Sequence, residues 1–391
     1  MKENVLLGIT GGIAAFKMAS LASMLTKKGY NVFTIMTESA TEFISPLTFR
    51  SITGNPVETD LFSPPEHYDI KHISLADKAD ILLISPATAN FIGKMAGGIA
   101  DDLLSTLVLS VDIPVLIAPS MNTKMYNNFS VRDNIKYLNE NGIKVIEPES
   151  GKLACGTTGK GRMPEPETLF AFIQKNLTEN ILQDKKILIS AGPTREPLDP
   201  VRFLSNYSSG KMGYALARSA SYYGGDVTLV SGPVELKAPL GVEKIAVSTA
   251  CEMYEQIINR APEHDIIIMT AAVSDFRPEK LLEDKIKKSG QKNRQLKLTA
   301  NPDILSKLGE IKSEEQILVG FAAESQDIIE NARQKLVEKN LDYIIANDIA
   351  KSDTGFGSDD NEIYIINDNQ KTHYSKRPKE ELADIILQEL I

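Results

Sequence analysis

A chain of 391 residues is longer than one hydrophobic core usually serves, which sets the expectation at about two or three domains. With 42% hydrophobic and 24% charged residues it has the make-up of a soluble globular protein, and a net charge of −9 argues against a nucleic-acid or anionic-membrane partner. Two cysteines and four histidines without paired spacing exclude a disulfide framework and a structural zinc site; a reducing, cytoplasmic setting is expected.

The chain opens with an apolar run, Val5 to Ile9, that enters the turn Thr10-Gly11-Gly12-Ile13 and then a helical stretch from Ala14 to Lys28. Strand, tight turn and helix start together present free N–H groups and the positive end of the helix dipole, which suits a phosphate-bearing ligand. Glu3, the Gly11-Gly12 break and Lys17 spoil this run as a signal peptide. No stretch approaches the roughly 20 apolar residues of a membrane span. Strands at Asn31 to Met36, Ile81 to Ser85, Val115 to Pro119 and Lys144 to Ile146 alternate with helical segments, predicting a parallel sheet covered on both faces.

Gly8, Gly11 and Gly12 do not spell G-x-G-x-x-G, and Thr37 rather than an acid follows the second strand, so a mononucleotide fits better than a dinucleotide. In Ser85-Pro-Ala-Thr-Ala-Asn90 the Ser85 and Thr88 hydroxyls sit between strand and helix, where they hold a phosphate or simply cap the helix. Asp101, Asp102 and Ser105 open a further helix. His72 stands just ahead of a helical segment, in catalysis or as a structural histidine. Asn122 follows the strand Val115 to Ala118, at a carboxyl-end loop where such sheets bind ligands. Cys155 lies in a Gly-flanked loop and reads as an inert thiol or as part of a movable flap.

In this order the motifs resemble those of the flavin-containing cysteine decarboxylases that act on phosphopantothenoylcysteine, over residues 1 to 180. The resemblance implies FMN bound around Gly11, Gly12, Ile13, Ser39, Ser85, Thr88 and Ser105. It also implies His72 as base and orienting group, Asn122 on the substrate carboxylate, and Cys155 as a late proton donor. Ser120 departs from the Ala usual in Pro-x-Met-Asn, with Asn122 and Met125 retained. Direct loss of CO2 from a cysteinyl carboxylate would leave an unstabilised carbanion, which is why a flavin that first oxidises the thiol is needed. The unsaturated thiol left behind must then be reduced and protonated, a task for an acid beside the substrate.

The polar stretch Leu177 to Lys185 places a domain boundary near residue 180. Beyond it Ile187 to Ser190 enters a second Gly-rich turn, followed by a helix at Lys211 to Tyr223. Strands at Asp226 to Val230, Ile266 to Thr270, Leu318 to Phe321, Tyr343 to Ala346 and Ile363 to Ile366 predict a second parallel sheet. Gly192 to Gly213 is dense in turn formers, hydroxyls and arginines; Gly210-Lys211-Met212 is not a Walker A loop. Asn206 there can address a carbonyl or phosphoryl oxygen, unless the segment is only an elaborate helix cap. Asp275 leaves a strand at its carboxyl end, placed to accept from a base or ribose or to handle a metal. Asn301 to Leu305 and Gly320 to Glu324 occupy comparable ends, and Lys335 and Lys339 share a helix face, suited to a polyphosphate or to water. Glu279 to Ala300, with Lys285-Ile-Lys-Lys288, breaks the alternation as a solvated loop or an excursion from the sheet.

These pieces resemble the CTP-using bacterial phosphopantothenate–cysteine ligases, from residue 181 to the end. The resemblance implies CTP contacts at Met269, Thr270, Ala271, Asp275, Lys285, Pro302, Asp303, Ile304, Leu305, Phe321, Lys335 and Lys339. Mg2+ on the phosphates would take Asp275 as ligand, Lys285 would cover the triphosphate, and Asn206 would serve in turnover of the acyl-cytidylate. The whole is then an α/β chain of two doubly wound, mainly parallel-sheet domains: a flavodoxin-like flavoprotein domain, 1–180, and a Rossmann-like CTP-dependent ligase domain, 181–391. It resembles the bifunctional enzymes of coenzyme A synthesis, which take 4'-phosphopantothenate, cysteine and CTP. Such enzymes imply homo-oligomers, with decarboxylase domains in trimers and ligase domains in dimers, a dodecamer where both contacts form. Two rivals share the folds: a nicotinamide dehydrogenase, which needs the missing glycine fingerprint, and a non-catalytic flavoprotein with a regulatory nucleotide domain, which makes His72, Asn122 and Cys155 superfluous.

Overall fold

The computed structural model describes residues 3–62, 71–152, 156, 158–287, 295–324, 327–348 and 357–391. The chain divides into two compact units, Met1–Thr178 and Glu179–Ile391. Among the described residues no helix is long and apolar enough to cross a membrane.

The first unit carries β1 (Asn4–Ile9), β2 (Asn31–Met36), β3 (Val57–Glu58), β4 (Ile81–Ala87), β5 (Val115–Pro119) and β6 (Lys144–Val145) in one sheet, ordered β3-β2-β1-β4-β5-β6. All of its pairings are parallel, with Gly8 opposite both Ile35 and Ile84. Strands of a parallel sheet are covered on both faces, so they read as continuous apolar runs. Val5, Leu6, Leu7 and Ile9 accordingly all lie out of reach of water. One face packs on Leu21, Leu25, Phe49 and Ile173, the other on Phe91, Ile92, Leu104 and Leu107. The strand order reverses between β1 and β4, and there the diverging connections leave a crevice at the carboxyl ends. Outside the sheet, β7 (Glu149–Lys152) and β8 (Thr158–Arg162) form an antiparallel hairpin.

The second unit repeats this plan. Its strands are β9 (Lys186–Ala191), β10 (Arg195–Asp199), β11 (Arg202–Ser205), β12 (Asp226–Ser231), β13 (Val242–Ala246), β14 (Ile266–Met269), β15 (Phe276–Pro278), β16 (Leu298–Ala300), β17 (Ile317–Glu324), β18 (Tyr343–Asp348), β19 (Asp360–Ile366) and β20 (Lys371–Pro378). The main sheet runs β13-β12-β9-β14-β17-β18-β19-β20 and is parallel as far as β18. The strand holding Ile363 to Ile366 does not continue the parallel sheet as expected: it pairs antiparallel with β18, and β20 pairs antiparallel with it. The link from Asp348 to Asp360 is too short for the helical crossover that a parallel partner needs, and a tight turn joins β19 to β20.

The segment before the helix Lys211–Tyr222 is not a bare donor loop, since β10 and β11 fold back on each other as a ribbon. The basic stretch after β14 is an excursion from the sheet, framed by the ribbon β15–β16. Its first half is tied to the β10–β11 ribbon. Asp199, only 3% exposed, accepts from Ile286 N–H at 3.1 Å, and Arg202 donates to the Ile286 carbonyl at 2.8 Å.

Gly213 shows how closely the helix Lys211–Tyr222 lies on the sheet. A Cβ there would stand 2.4 Å from Thr270 Oγ1 and 2.6 Å from Ala191 Cβ. In a free helix Gly→Ala gains about 1 kcal/mol. Forcing a methyl into a filled contact costs about 1–3 kcal/mol, so crowding wins. Gly213→Ala is therefore expected to destabilise the second unit by about 1–2 kcal/mol, read by urea unfolding, while the first unit unfolds as in the wild type.

Candidate functional site

Each unit holds a cleft at the carboxyl ends of its central strands. In the first, a space of about 940 Å³ is bounded by Thr10 to Ala14, Thr37 to Ser39, Thr88 to Phe91 and Ser120 to Asn122. Thr10 closes its base: the Oγ1 hydroxyl donates to the Pro86 carbonyl at 2.7 Å and accepts from Thr88 N–H at 3.2 Å, tying β1 to β4. Thr88 in turn caps the helix Ala89–Gly97, its hydroxyl accepting from Phe91 N–H at 3.3 Å. Gly11 lies so close to Ser39 that a Cβ would fall 2.4 Å from the serine Cβ, which excludes any larger residue unless Ser39 moves. Thr37 Oγ1 is buried and has no partner among the described residues. On the rim Ile13 and Phe16 are 59% and 58% exposed, an apolar edge continued inside by Phe91, Met121 and Met163.

Gly11, Gly12, Ile13, Ser39, Thr88 and Asn122 are thus brought together. Two further candidates stand apart from the cleft. Ser85 is fully buried with its hydroxyl against the Met163 sulfur at 3.1 Å. Ser105 is 2% exposed in a reciprocal cap, donating its N–H to Asp102 at 2.8 Å and accepting from Asp102 N–H at 3.0 Å. Both hydroxyls serve packing and capping. His72 belongs to the helix Lys71–Lys78, but its side chain, like the whole of Cys155, lies outside the described residues.

The cleft also presents charges that the motifs did not mark. Lys94 reaches Asp101 at 2.7 Å and Asp102 at 3.0 Å. The bond from Asp101 raises the ammonium pKa, against an opposing effect of burial. Lys17 and Arg162 both bind Glu165, whose carboxyl is lowered chiefly by the Lys17 bond. The paired acids before Leu103 were a visible signal; Lys94 had none, since a lysine on a helix is usually solvated.

The second cleft, of about 400 Å³, is bounded by Ser208 to Gly213, Met269 to Asp275, Asn301 to Leu305, Phe321 and Lys339. Its base repeats the first: Thr270 Oγ1 donates to the Ser190 carbonyl at 2.6 Å and Ala271 N–H donates to Ser190 Oγ at 3.1 Å, tying β9 to β14. Asp303 caps the helix Ile304–Ile311, accepting from Ser306 N–H at 3.0 Å, and pairs with Lys339 at 2.9 Å. Met269, Thr270, Ala271, Asp275, Pro302, Asp303, Ile304, Leu305, Phe321 and Lys339 therefore share one cleft.

Lys285 and Lys335 do not line it. Lys285 is exposed beside Ile286, the residue pinned to the β10–β11 ribbon. Asn206 is exposed at the edge, donating to the Ala272 carbonyl at 3.0 Å. Asp275 is exposed, and among the described residues no three His, Cys, Asp or Glu side chains gather to hold a metal ion. Two lysines line the cleft unannounced. Lys211 donates to the Gly357 carbonyl at 2.8 Å and to Asp359 at 2.6 Å. Lys379, 7% exposed, donates to the Ser358 carbonyl at 2.6 Å, and burial followed by the Lys211 charge pushes its pKa down. The Gly-Lys pair at a helix start hinted at Lys211; Lys379 comes from the far end of the unit, where no local pattern marks it.

Comparison with known proteins divides the chain at the same place. Residues 1–178 match the family Flavoprotein, and residues 182–391 match the DNA/pantothenate metabolism flavoprotein C-terminal domain. The coenzyme A biosynthesis bifunctional protein CoaBC of Bacillus subtilis is 48% identical, over 99% of this chain and 96% of that protein. Its namesake in Vibrio parahaemolyticus is 44% identical, over 99% of this chain and 98% of that one. A crystal structure of the C-terminal domain of a CoaBC protein is 40% identical with a TM-score of 0.47, covering 54% of this chain and 96% of that one.

The Asp303 cap yields a pH prediction. Burial would raise this carboxyl, but the Ser306 N–H and the Lys339 ammonium outweigh it and hold the pKa below the ordinary 3.8. A lowered carboxylate contributes stability above its unfolded pKa, lost as pH falls through the folded value. Asp303→Ala is expected to cost about 1 kcal/mol at pH 7. In urea titrations the gap from wild type should narrow only below pH of about 4; a gap independent of pH would contradict the ionised cap.

Proposed function

The chain belongs to the family of coenzyme A biosynthesis bifunctional proteins, and from that membership and its two clefts we infer the following division of labour. It is a bifunctional enzyme: the second unit joins 4'-phosphopantothenate to cysteine at the expense of CTP, and the first decarboxylates the 4'-phosphopantothenoylcysteine so formed. The observation that carries this reading is that one chain holds both clefts, each within the span of a single family match.

The first cleft suits FMN. Gly11 and the Thr88 helix start offer N–H donors to its phosphate, Thr37 has an unused hydroxyl, and Ile13 and Phe16 offer an apolar edge to a flat ring. When bound, FMN supplies the reversible oxidation of the cysteinyl thiol that lets the carboxylate leave. Asn122 accepts Met125 N–H at 2.9 Å with its oxygen, which leaves its NH2 group to hold the substrate carboxylate. His72 acts as base and orienting group, and Cys155 delivers the final proton.

In the second unit Met269 to Ala271, Pro302 to Leu305 and Phe321 hold the cytidine and Lys339 meets the triphosphate, with Lys285 and Lys335, which stand outside the cleft, reaching it only when the nucleotide is bound. Mg2+ arriving with a nucleotide needs one or two carboxylates besides the phosphates, so Asp275, with Asp303 in the same cleft, suffices. Asn206 assists turnover of the acyl-cytidylate. A homo-oligomer, with trimers of first units and pairs of second units, in the cytoplasm, belongs to the same reading. The exposure of Leu47 and Phe129, 66% and 76%, supports a covered surface on the first unit.

Purified protein should be yellow, release FMN on denaturation, and convert 4'-phosphopantothenate, cysteine and CTP to 4'-phosphopantetheine with release of pyrophosphate and CO2. A colourless protein that reduces a nicotinamide would favour a dehydrogenase. Cys155→Ser is expected to release CO2 yet yield little 4'-phosphopantetheine, accumulating an unsaturated product found by mass; a normal yield would remove Cys155 as the proton donor. In the ligase, Lys285→Gln should slow activation by about 10²-fold, as for one lost transition-state donor. Asn206→Asp should leave activation largely intact and let the acyl-cytidylate build up. Intermediate mass measured without cysteine decides between them, equal loss in both variants overturning the assignment.

A further inference from the structure

Asn122 sits at the start of the turn Thr123–Tyr126, and the far end of that turn is tied to two other elements. Tyr126 is 9% exposed, and its hydroxyl donates to Glu147 Oε2 at 3.0 Å. Lys160, in β8, reaches the same carboxylate oxygen at 2.5 Å, with its ammonium 5.5 Å from the centre of the Tyr126 ring. Glu147 follows β6, so one carboxylate joins the end of the sheet, the Asn122 turn and the hairpin. The Lys160 bond holds Glu147 below the usual carboxylate range, which keeps it ionised at neutral pH.

The residues on either side of Lys160 explain why such a tie is needed. A Cβ on Gly161, at φ +140°, would fall 2.3 Å from the Met121 carbonyl oxygen, and one on Gly159 would fall 2.5 Å from Thr123 Oγ1. Met121 N–H donates to the Gly161 carbonyl at 3.1 Å. The hairpin therefore lies backbone to backbone against the turn that carries Asn122. Glycines permit that approach but supply no side chain to hold it, and a short ribbon outside a sheet has little stability of its own.

We propose that Tyr126, Glu147 and Lys160 form a positioning network that seats the β7–β8 hairpin on the Asn122 turn, and so aims the Asn122 amide at the substrate carboxylate. The proposal rests on the decarboxylase reading of the first unit. These three are positioning residues, because they act through Asn122. The network borders an open space of about 510 Å³ with Arg132 and Lys136 on its wall, so its ion pair is wet and individually weak. The effect of removing one member is graded rather than total.

The test uses the full-length, flavin-loaded chain. Tyr126→Phe keeps the ring under Lys160 and removes only the hydroxyl; Glu147→Gln keeps the shape and removes the charge. Hydrogen–deuterium exchange at the Met121 amide should accelerate about 3- to 10-fold in both, the range for one lost hydrogen bond. The KM for 4'-phosphopantothenoylcysteine should rise by a similar factor, with flavin affinity and melting temperature near wild type, and Lys160→Arg should stay close to wild type. In an Asn122→Ala background, Tyr126→Phe should add nothing to KM. Unchanged exchange at Met121, or the same rise in KM with and without Asn122, would overturn the network. Failure of the wild type to release CO2 would instead overturn the decarboxylase reading, and the exchange measurement would still decide the network.

Discussion

Both clefts depend on one device: a hydroxyl bonded across the place where strand order reverses. In the first unit it is Thr10, just past β1, binding Pro86 at the end of β4 and Thr88 just past it; in the second it is Ser190 on β9 bound to Thr270 and Ala271, just past β14. At such a reversal the two strands send their connections to opposite sides, so nothing crosses above them and the strand ends would splay. A side-chain bond made just past the last ladder bond closes the base of the crevice without filling it. The helix starts that border each crevice then stand at fixed spacing with their N–H groups turned to the gap, which is the condition for holding a phosphate. Leading strand, reversal and tie follow the same order in both halves, although the sequences that build them share little beyond a Gly-rich turn.

What differs between the halves is the decoration of that common base. The first cleft has the larger volume and an apolar edge at Ile13 and Phe16, as a planar ring system requires. The second has lysines at three points, Lys211, Lys339 and Lys379, and so concentrates positive charge. Lys211 and Lys339 are already paired with Asp359 and Asp303. An exposed pair of this kind is worth about 0–1 kcal/mol, so a phosphate can take over the ammonium at little cost while the pair keeps the side chain ordered beforehand. Lys379 is the exception: nearly buried, with its pKa pushed down, it holds a backbone carbonyl and anchors the wall.

The parts of this architecture legible in the sequence are those set by local physics. Continuous apolar runs such as Ile187 to Ile189 can only be strands covered on both faces or buried helix, and the Gly-rich turns after them decide for strands. The ribbons β10–β11 and β15–β16 carry no such signal, because they stand outside a core and expose Phe203, Phe276 and Leu298. The direction of β19 depended on the length of a connection rather than on any residue in it. Among the site residues, glycines and caps were readable because close approach and helix starts restrict residue type at once. Ser85 in β4 and Ser105 in a helix cap are harder to read, because a hydroxyl satisfies sulfur or backbone as readily as a ligand, and here each has an internal partner.

A charge run is read still less well, because its role is decided by what it is tied to. The stretch after Phe276 has the composition of a solvated loop, yet Asp199 and Arg202 clamp the backbone at Ile286 from the neighbouring ribbon. Lys285 stands next to that clamp and outside the cleft. The fixed point is therefore beside the lysine, not at it. An ammonium on a four-carbon stem can swing several ångströms about a pinned backbone, whereas a lysine in a wholly free loop would first have to order the loop, at about 1–2 kcal/mol for each residue fixed. Anchoring one residue of a basic loop thus reduces the entropy cost of ordering the charges beside it and leaves the cleft open.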